Sequence, residues 1–121
     1  LQGGDYISRA IQSFKKVIDL KPDHHESIYW LGQIYYDKGD LSTAEQYFNK
    51  ANELSDNSYT PAYSNLAYEY KRLADYPKSV EFFKKYLDHN PNDTNWSQDS
   101  YHQILTFTNL QEFWILEMQK E

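Results

Sequence analysis

At 121 residues the chain has the length of one domain, enough to bury a substantial core. A formal charge of −6 and a pI near 5.1 argue against a general grip on phosphate backbones, although "KK" at 15–16 and 84–85 leaves local basic spots. No apolar run approaches the roughly 20 residues that span a bilayer, neither end reads as a signal peptide, and the absence of cysteine removes disulfides, thiolate metal sites and thiol nucleophiles.

Leu1, Gln2 and "GGDY" read as a chain end followed by a turn, and "RAIQSFKKVIDLKPD" (9–23) as a helix closed at Pro22. "DHHE" (23–26) contains metal-ligating residue types, but adjacent histidines at a helix start point in different directions and no second cluster joins them. A polar turn is expected there, and no metal or cofactor. In "IYWLGQIYYDKGD" (28–40), Ile28, Leu31, Gly32 and Tyr35 follow i, i+3, i+4, i+7 spacing, the mark of one helix face. "KGD" breaks this helix, and Asp40 is placed to cap the next, whose stripe is Ala44, Phe48 and Ala51. "SDNSYTP" reads as a loop ending in the helix-starting Pro61. "YSNLAYEYKRLADY" (63–76) and "KSVEFFKKYLDHNPN" (78–92) then repeat the two-helix plan, with Asp75 as the cap and Pro91 as the stop. The remainder, "NWSQDSYHQILTFTNLQEFWILEMQKE" (95–121), admits two forms. Tyr101, Ile104 and Leu105 continue a first-helix stripe with Asn109 capping a second helix, or one long helix runs from about Trp96 to Met118.

The plan recurs at fixed period. Ala10, Ala44 and Ser79 stand 34 and 35 residues apart, as do Phe14, Phe48 and Phe83, and Val17, Ala51 and Tyr86. Leu31 and Leu66, Gly32 and Ala67, and Tyr35 and Tyr70 are each 35 apart, the extra residue falling in the "SDNSYTP" loop. Small residues at Gly32, Ala44, Ala67 and Ser79 let paired helices approach closely, with the aromatics filling the space around them. Apolar–x2–Leu–Gly–x2–Tyr, then Ala–x3–Phe, resembles the tetratricopeptide repeat family. Its motif is carried here by Ile28, Leu31, Gly32, Tyr35, Ala44 and Phe48, and again by Tyr63, Leu66, Ala67, Tyr70, Ser79, Phe83 and Pro91. Asp56 stands where the first of these units would have its proline. The resemblance implies an all-α fold, an α-solenoid of antiparallel helix pairs in a right-handed superhelix. It divides the chain into a partial repeat (1–24), two repeats (25–59 and 60–93) and a degenerate or capping repeat (94–121). Because solenoid units bury their cores against neighbours, the half-repeat at the start predicts a piece of a longer array, or a cap.

In this family the first helices of each pair line a concave groove. The line that resembles its ligand-facing positions is Tyr29, Gln33 and Tyr36 on one first helix. It becomes Ser64, Tyr68 and Lys71 on the next, with Asn65 and Arg72 beside it, and Gln98, His102 and Leu105 on the last. A tyrosine-floored groove suits an extended peptide, since tyrosine gives contact area and a hydroxyl at modest entropic cost. The alternative is that these rings cover the flank of a neighbouring repeat. Asn65 matches the middle asparagine of the subclass that clamps acidic chaperone tails. Tyr29, Gln33, Asn95 and Asp99 hold no cation in the remaining slots, so that clamp is not expected.

The leading expectation is a non-catalytic scaffold for a protein or peptide partner, with neither nucleic acid nor membrane as ligand. The second is a structural or assembly module. Phe113, Trp114, Ile115 and Leu116 are consecutive, and no single helix face buries all four, so they form a candidate surface for homo-oligomers or further repeats. An enzyme is disfavoured: no carboxylate pair, nucleophile or glycine-rich phosphate loop stands at catalytic spacing. "NDT" and "NWS" (Asn92, Asn95) fit the glycosylation pattern and matter only in a secreted protein, while cytoplasmic residence is the default expectation.

Overall fold

The structure is a computed structural model. It describes residues 3–93 and 96–120, with the side chains of 6–93, 102, 105, 106 and 109–120. Expectations resting on Leu1, Gln2 and Asn95, and on the side chains of Gln98, Asp99, Tyr101 and Ile104, lie outside the described residues. Among the described residues there are six α-helices: α1 (Gly3–Leu20), α2 (His25–Asp37), α3 (Leu41–Leu54), α4 (Pro61–Arg72), α5 (Tyr76–His89) and α6 (Trp96–Gln119). None is long and apolar enough to cross a membrane. The chain divides into two compact units, Leu1–Tyr59 and Thr60–Glu121.

In the first unit α1 packs on α2, and α2 on α3. Ile28, Leu31 and Gly32 of α2 bury against Leu41, Ala44, Phe48 and Ala51 of α3, each large aliphatic or aromatic side chain supplying about 1.5–3 kcal/mol. Gly32 meets the phenyl ring of Phe48 and the Cβ of Tyr47, so the small residue admits the partner helix's aromatics. α1 contributes half-buried Ala10, Ile11, Phe14, Val17 and Ile18. The expected "GGDY" turn is helical instead. In a first turn the backbone N–H groups need no intrahelical partner, so two glycines there cost little.

In the second unit α4 packs on α5, and α5 on α6. Ala62, Tyr63, Leu66, Ala67 and Tyr70 meet Ser79, Phe82 and Phe83, and the Ser79 hydroxyl donates to the Ala67 carbonyl at 2.7 Å. Phe82, outside the repeat motif, is completely buried. Tyr70 stacks on it at 6.0 Å, and the Lys78 and Lys85 ammonium groups lie 5.8 and 5.0 Å from its ring centre. Its counterpart 35 residues earlier, Tyr47, stacks on Tyr35 at 5.8 Å, but Tyr35 stays half-buried where Tyr70 is buried. Of the two forms open for the C-terminal stretch, α6 takes the single helix. No glycine or proline interrupts residues 96–119, so Asn109 has no break to cap.

Both intra-pair turns follow one design. Gly39 donates to the Tyr36 carbonyl and Asp40 to that of Tyr35, while Ala74 donates to Lys71 and Asp75 to Tyr70. These are paired bonds of the Schellman type, closing a helix through one residue in the left-handed region. Asp40 and Asp75 then accept from the backbone N–H of Thr43 (3.2 Å) and Lys78 (3.3 Å), as capping residues do. The left-handed residue is Gly39 (φ 84°) in the first turn but Ala74 (φ 61°) in the second. A Cβ at such a φ costs about 1–2 kcal/mol, of which glycine's greater unfolded entropy returns about half. Ala74→Gly is therefore expected to stabilise the protein by about 0.5–1 kcal/mol and Gly39→Ala to destabilise it comparably, read as opposite shifts of the urea midpoint.

Candidate functional site

The line flanking the core stripe of α2 is partly consumed by its own unit. Tyr29 is half-buried, stacks on Tyr59 with ring centres 4.5 Å apart, tilts against Phe48 at 5.7 Å and meets the edge of Trp30 at 5.2 Å. Tyr36, also half-buried, tilts against Phe48 at 6.5 Å. Between them the Gln33 amide donates to Asp37 at 3.0 Å, leaving its oxygen for a visitor. Trp30, on the adjoining angle, keeps half of its surface exposed.

On α4 the equivalent line has the same grading. Ser64, Tyr68 and Lys71 are half-buried, and Asn65 and Arg72 are exposed. The Tyr68 ring stands edge-on to Phe83 at 4.8 Å, and its hydroxyl is buried. The Arg72 guanidinium donates to the Glu69 carboxylate, and that hydrogen bond holds the carboxyl below its usual range. The pair therefore presents one cation beside one anion. His102 on α6 is exposed. Each unit thus sets its first-helix tyrosines beside polar groups; the C-terminal third of the line contributes only His102 and a half-buried Leu105 among described side chains.

Tyr59 lies in the loop after α3 and is folded onto α2. Its hydroxyl is 2.9 Å from Nδ1 of His25, and its backbone N–H donates to the buried Asn52 Oδ1 at 2.7 Å. Burial first, then the neighbouring Glu26 and Tyr29, push the phenol pKa above its ordinary value, so the group stays protonated at neutral pH. The signal available in the sequence was an aromatic among small polar loop residues, which needs a surface to cover it. In the second unit Tyr86 donates to the Asp93 carboxylate, which raises its pKa ahead of burial. Asn90 also ties its loop down, donating to the Thr60 hydroxyl at 3.3 Å and to the Tyr86 carbonyl at 2.9 Å.

The histidines of "DHHE" serve this local architecture. His24 is the N-cap of α2, its Nδ1 accepting from the Ser27 backbone N–H at 3.3 Å, and His25 holds Tyr59. No grouping of three metal-ligating side chains occurs among the described residues. Phe113, Trp114, Ile115 and Leu116 on α6 are all more than half exposed, with Trp114 edge-on to Phe113 at 5.6 Å.

A family model described as Tetratricopeptide repeat matches residues 4–69, and a second of the same description matches residues 60–93. Comparison with curated proteins gives no match.

Proposed function

Because the chain belongs to the tetratricopeptide repeat family, whose repeats generally mediate protein–protein interaction and are not catalytic, we propose that it is a scaffold for an extended segment of another protein. Each unit offers its own first-helix face for such a segment: Tyr29, Gln33 and Tyr36 on α2 in the first, and Ser64, Asn65, Tyr68, Lys71 and Arg72 on α4 with His102 on α6 in the second. The observation that carries this is the half-burial of the tyrosines. Tyr29, Tyr36 and Tyr68 are each braced by a core phenylalanine, which fixes the rings before a ligand arrives, yet each retains open surface. A pre-ordered aromatic wall avoids part of the ordering cost of binding. Amide and hydroxyl groups alongside suit the backbone of an extended chain. With the Arg72 charge already matched by Glu69 and Lys71 the remaining cation on this α4 face, the preferred ligand is an aromatic- or aliphatic-containing segment with at most one carboxylate rather than a highly acidic tail.

The test is selection from a displayed library of random short peptides, followed by titration of the enriched sequences against wild type and a Gln33→Ala/Asn65→Ala variant. These substitutions remove polar contacts and leave the aromatic bracing in place. A loss of about tenfold or more in affinity at unchanged helicity supports the first-helix faces as the site. Enriched peptides that bind the variant as tightly as wild type place the site elsewhere.

A further inference from the structure

Glu26 and Trp30 stand one turn apart on α2, at i and i+4, so their side chains are neighbours on one strip of its surface. Trp30 is the largest apolar side chain that α2 leaves exposed, and its T-shaped contact with Tyr29, ring centres 5.2 Å apart, braces the indole. Glu26 is more than half exposed. Its two carboxylate oxygens lie 3.6 Å from Nε2 of His24 and of His25, beyond hydrogen-bond length, so both can accept from a further donor. Burial first and then this same carboxylate raise the Tyr59 phenol pKa, so Glu26 stands within electrostatic reach of the Tyr59–Tyr29–Trp30 ladder. No lysine or arginine occurs on α2, and its other carboxylate, Asp37, is exposed as well. The matching positions of α4, 35 residues on, are Pro61, Asn65 and Arg72, so the second unit repeats the helix without this character.

We propose that Glu26 and Trp30 form the binding site for an arginine side chain of the partner segment, its guanidinium stacked on the indole and forked to the carboxylate. This rests on the reading that the first-helix face of the first unit receives a protein segment, and it names the side chain selected there. Charge complementarity carries it. Indole is the ring that best attracts a cation, and a carboxylate with two open oxygens accepts both arms of a guanidinium. The positive end of the helix dipole, about half a charge, opposes a cation there and is outweighed by the full charge of Glu26. Arginine fits better than lysine. Tyr29 and Tyr59 are stacked nearly parallel, at 12°, so the rings form a wall and not a box around a compact ammonium. On an open ring the planar, weakly hydrated guanidinium stacks, whereas an ammonium keeps its water.

Selection of the displayed peptide library on the full chain tests this, with Gln33→Ala used to pick out the peptides that bind the α2 face. Among those, arginine is expected at about three times its frequency in the unselected library. Replacing that arginine by citrulline, which keeps the shape and removes the charge, is expected to cost about fivefold or more in affinity for wild type. The same replacement should cost about twofold or less for Glu26→Gln, since the partner charge is already gone. Trp30→Leu, which stays apolar and loses the ring, should weaken the arginine peptide about threefold at unchanged helicity. Peptides that bind the α2 face without an arginine excess overturn this site and leave the scaffold reading standing. Arginine peptides that bind either Glu26→Gln or Trp30→Leu as tightly as wild type overturn the pairing of the two residues. A selection that yields no peptide sensitive to Gln33→Ala overturns the reading of the α2 face itself, and this site with it.

Discussion

Phe48→Ala is expected to cost about 3–5 kcal/mol, enough to leave the first unit largely unfolded at room temperature. The ring is 1 % exposed and lies against the bare Cα of Gly32, with Tyr29 and Tyr36 leaning on it from the neighbouring stripe of α2. Removing it leaves a ring-sized void where small residues, Gly32 and Ala44, already bring the two backbones close, so collapse fills little of it. The loss should appear in circular dichroism as a fall in helical amplitude and in the urea midpoint. Phe48→Leu should recover about half, because most of the volume returns without the flat shape. Phe83→Ala should cost a similar amount in the second unit, where the same ring braces Tyr68. An effect below about 1 kcal/mol at either position would show that the helix pairs are not held by these rings.

The second large effect is expected at Gly32, where two opposed terms can be weighed. Alanine in place of glycine within a helix gains about 1 kcal/mol of backbone propensity. Against that, a Cβ at Gly32 would lie 2.7 Å from both Cδ1 and Cε1 of Phe48 and 3.2 Å from the Tyr47 Cβ. The phenyl ring is fully enclosed, so it yields only by displacing α3, at about 1–3 kcal/mol. Gly32→Ala should thus be neutral to moderately destabilising, and Gly32→Val, with two further methyls and poorer propensity, should lose about 3 kcal/mol or more. A paired change separates the causes. In Gly32→Ala/Phe48→Leu the slimmer side chain admits the new methyl, and the two losses should fall short of additive by about 1 kcal/mol. Strict additivity would mean that Gly32 is small for a reason other than its contact with Phe48.

Much of the fold was legible because its determinants are local and recur. The i, i+3, i+4, i+7 stripes at Ile28–Tyr35 and Tyr63–Tyr70 and the capping aspartates at 40 and 75 each announce themselves within a few residues. Most of what escaped depends on contacts distant in sequence. Phe82 sits beside the motif phenylalanine, and only the approach of Tyr63 and Tyr70 from α4 makes it core. Tyr59 looks like loop until its stacking on Tyr29, 30 residues earlier, is seen. His24 is not an obvious cap, since a ring nitrogen does there what a serine hydroxyl usually does. The candidate site is legible in the same uneven way. Spacing places Tyr29 beside the core stripe, but how much of its ring is left for a partner is settled by Phe48 and Tyr59.

The aromatic ladder of the first unit has an optical consequence. Trp30 is the single tryptophan of residues 1–59, and it meets the edge of Tyr29, which in turn stacks on Tyr59. At separations of 5.2 and 4.5 Å the rings pass excitation to the indole efficiently; Tyr29, next to Trp30 in sequence, does so in any state, whereas Tyr59, 29 residues away, does so at this efficiency only while the loop holds it in place. With Trp96 and Trp114 changed to phenylalanine, the colour of this one fluorophore becomes a private gauge of whether the first helix pair and its loop are assembled.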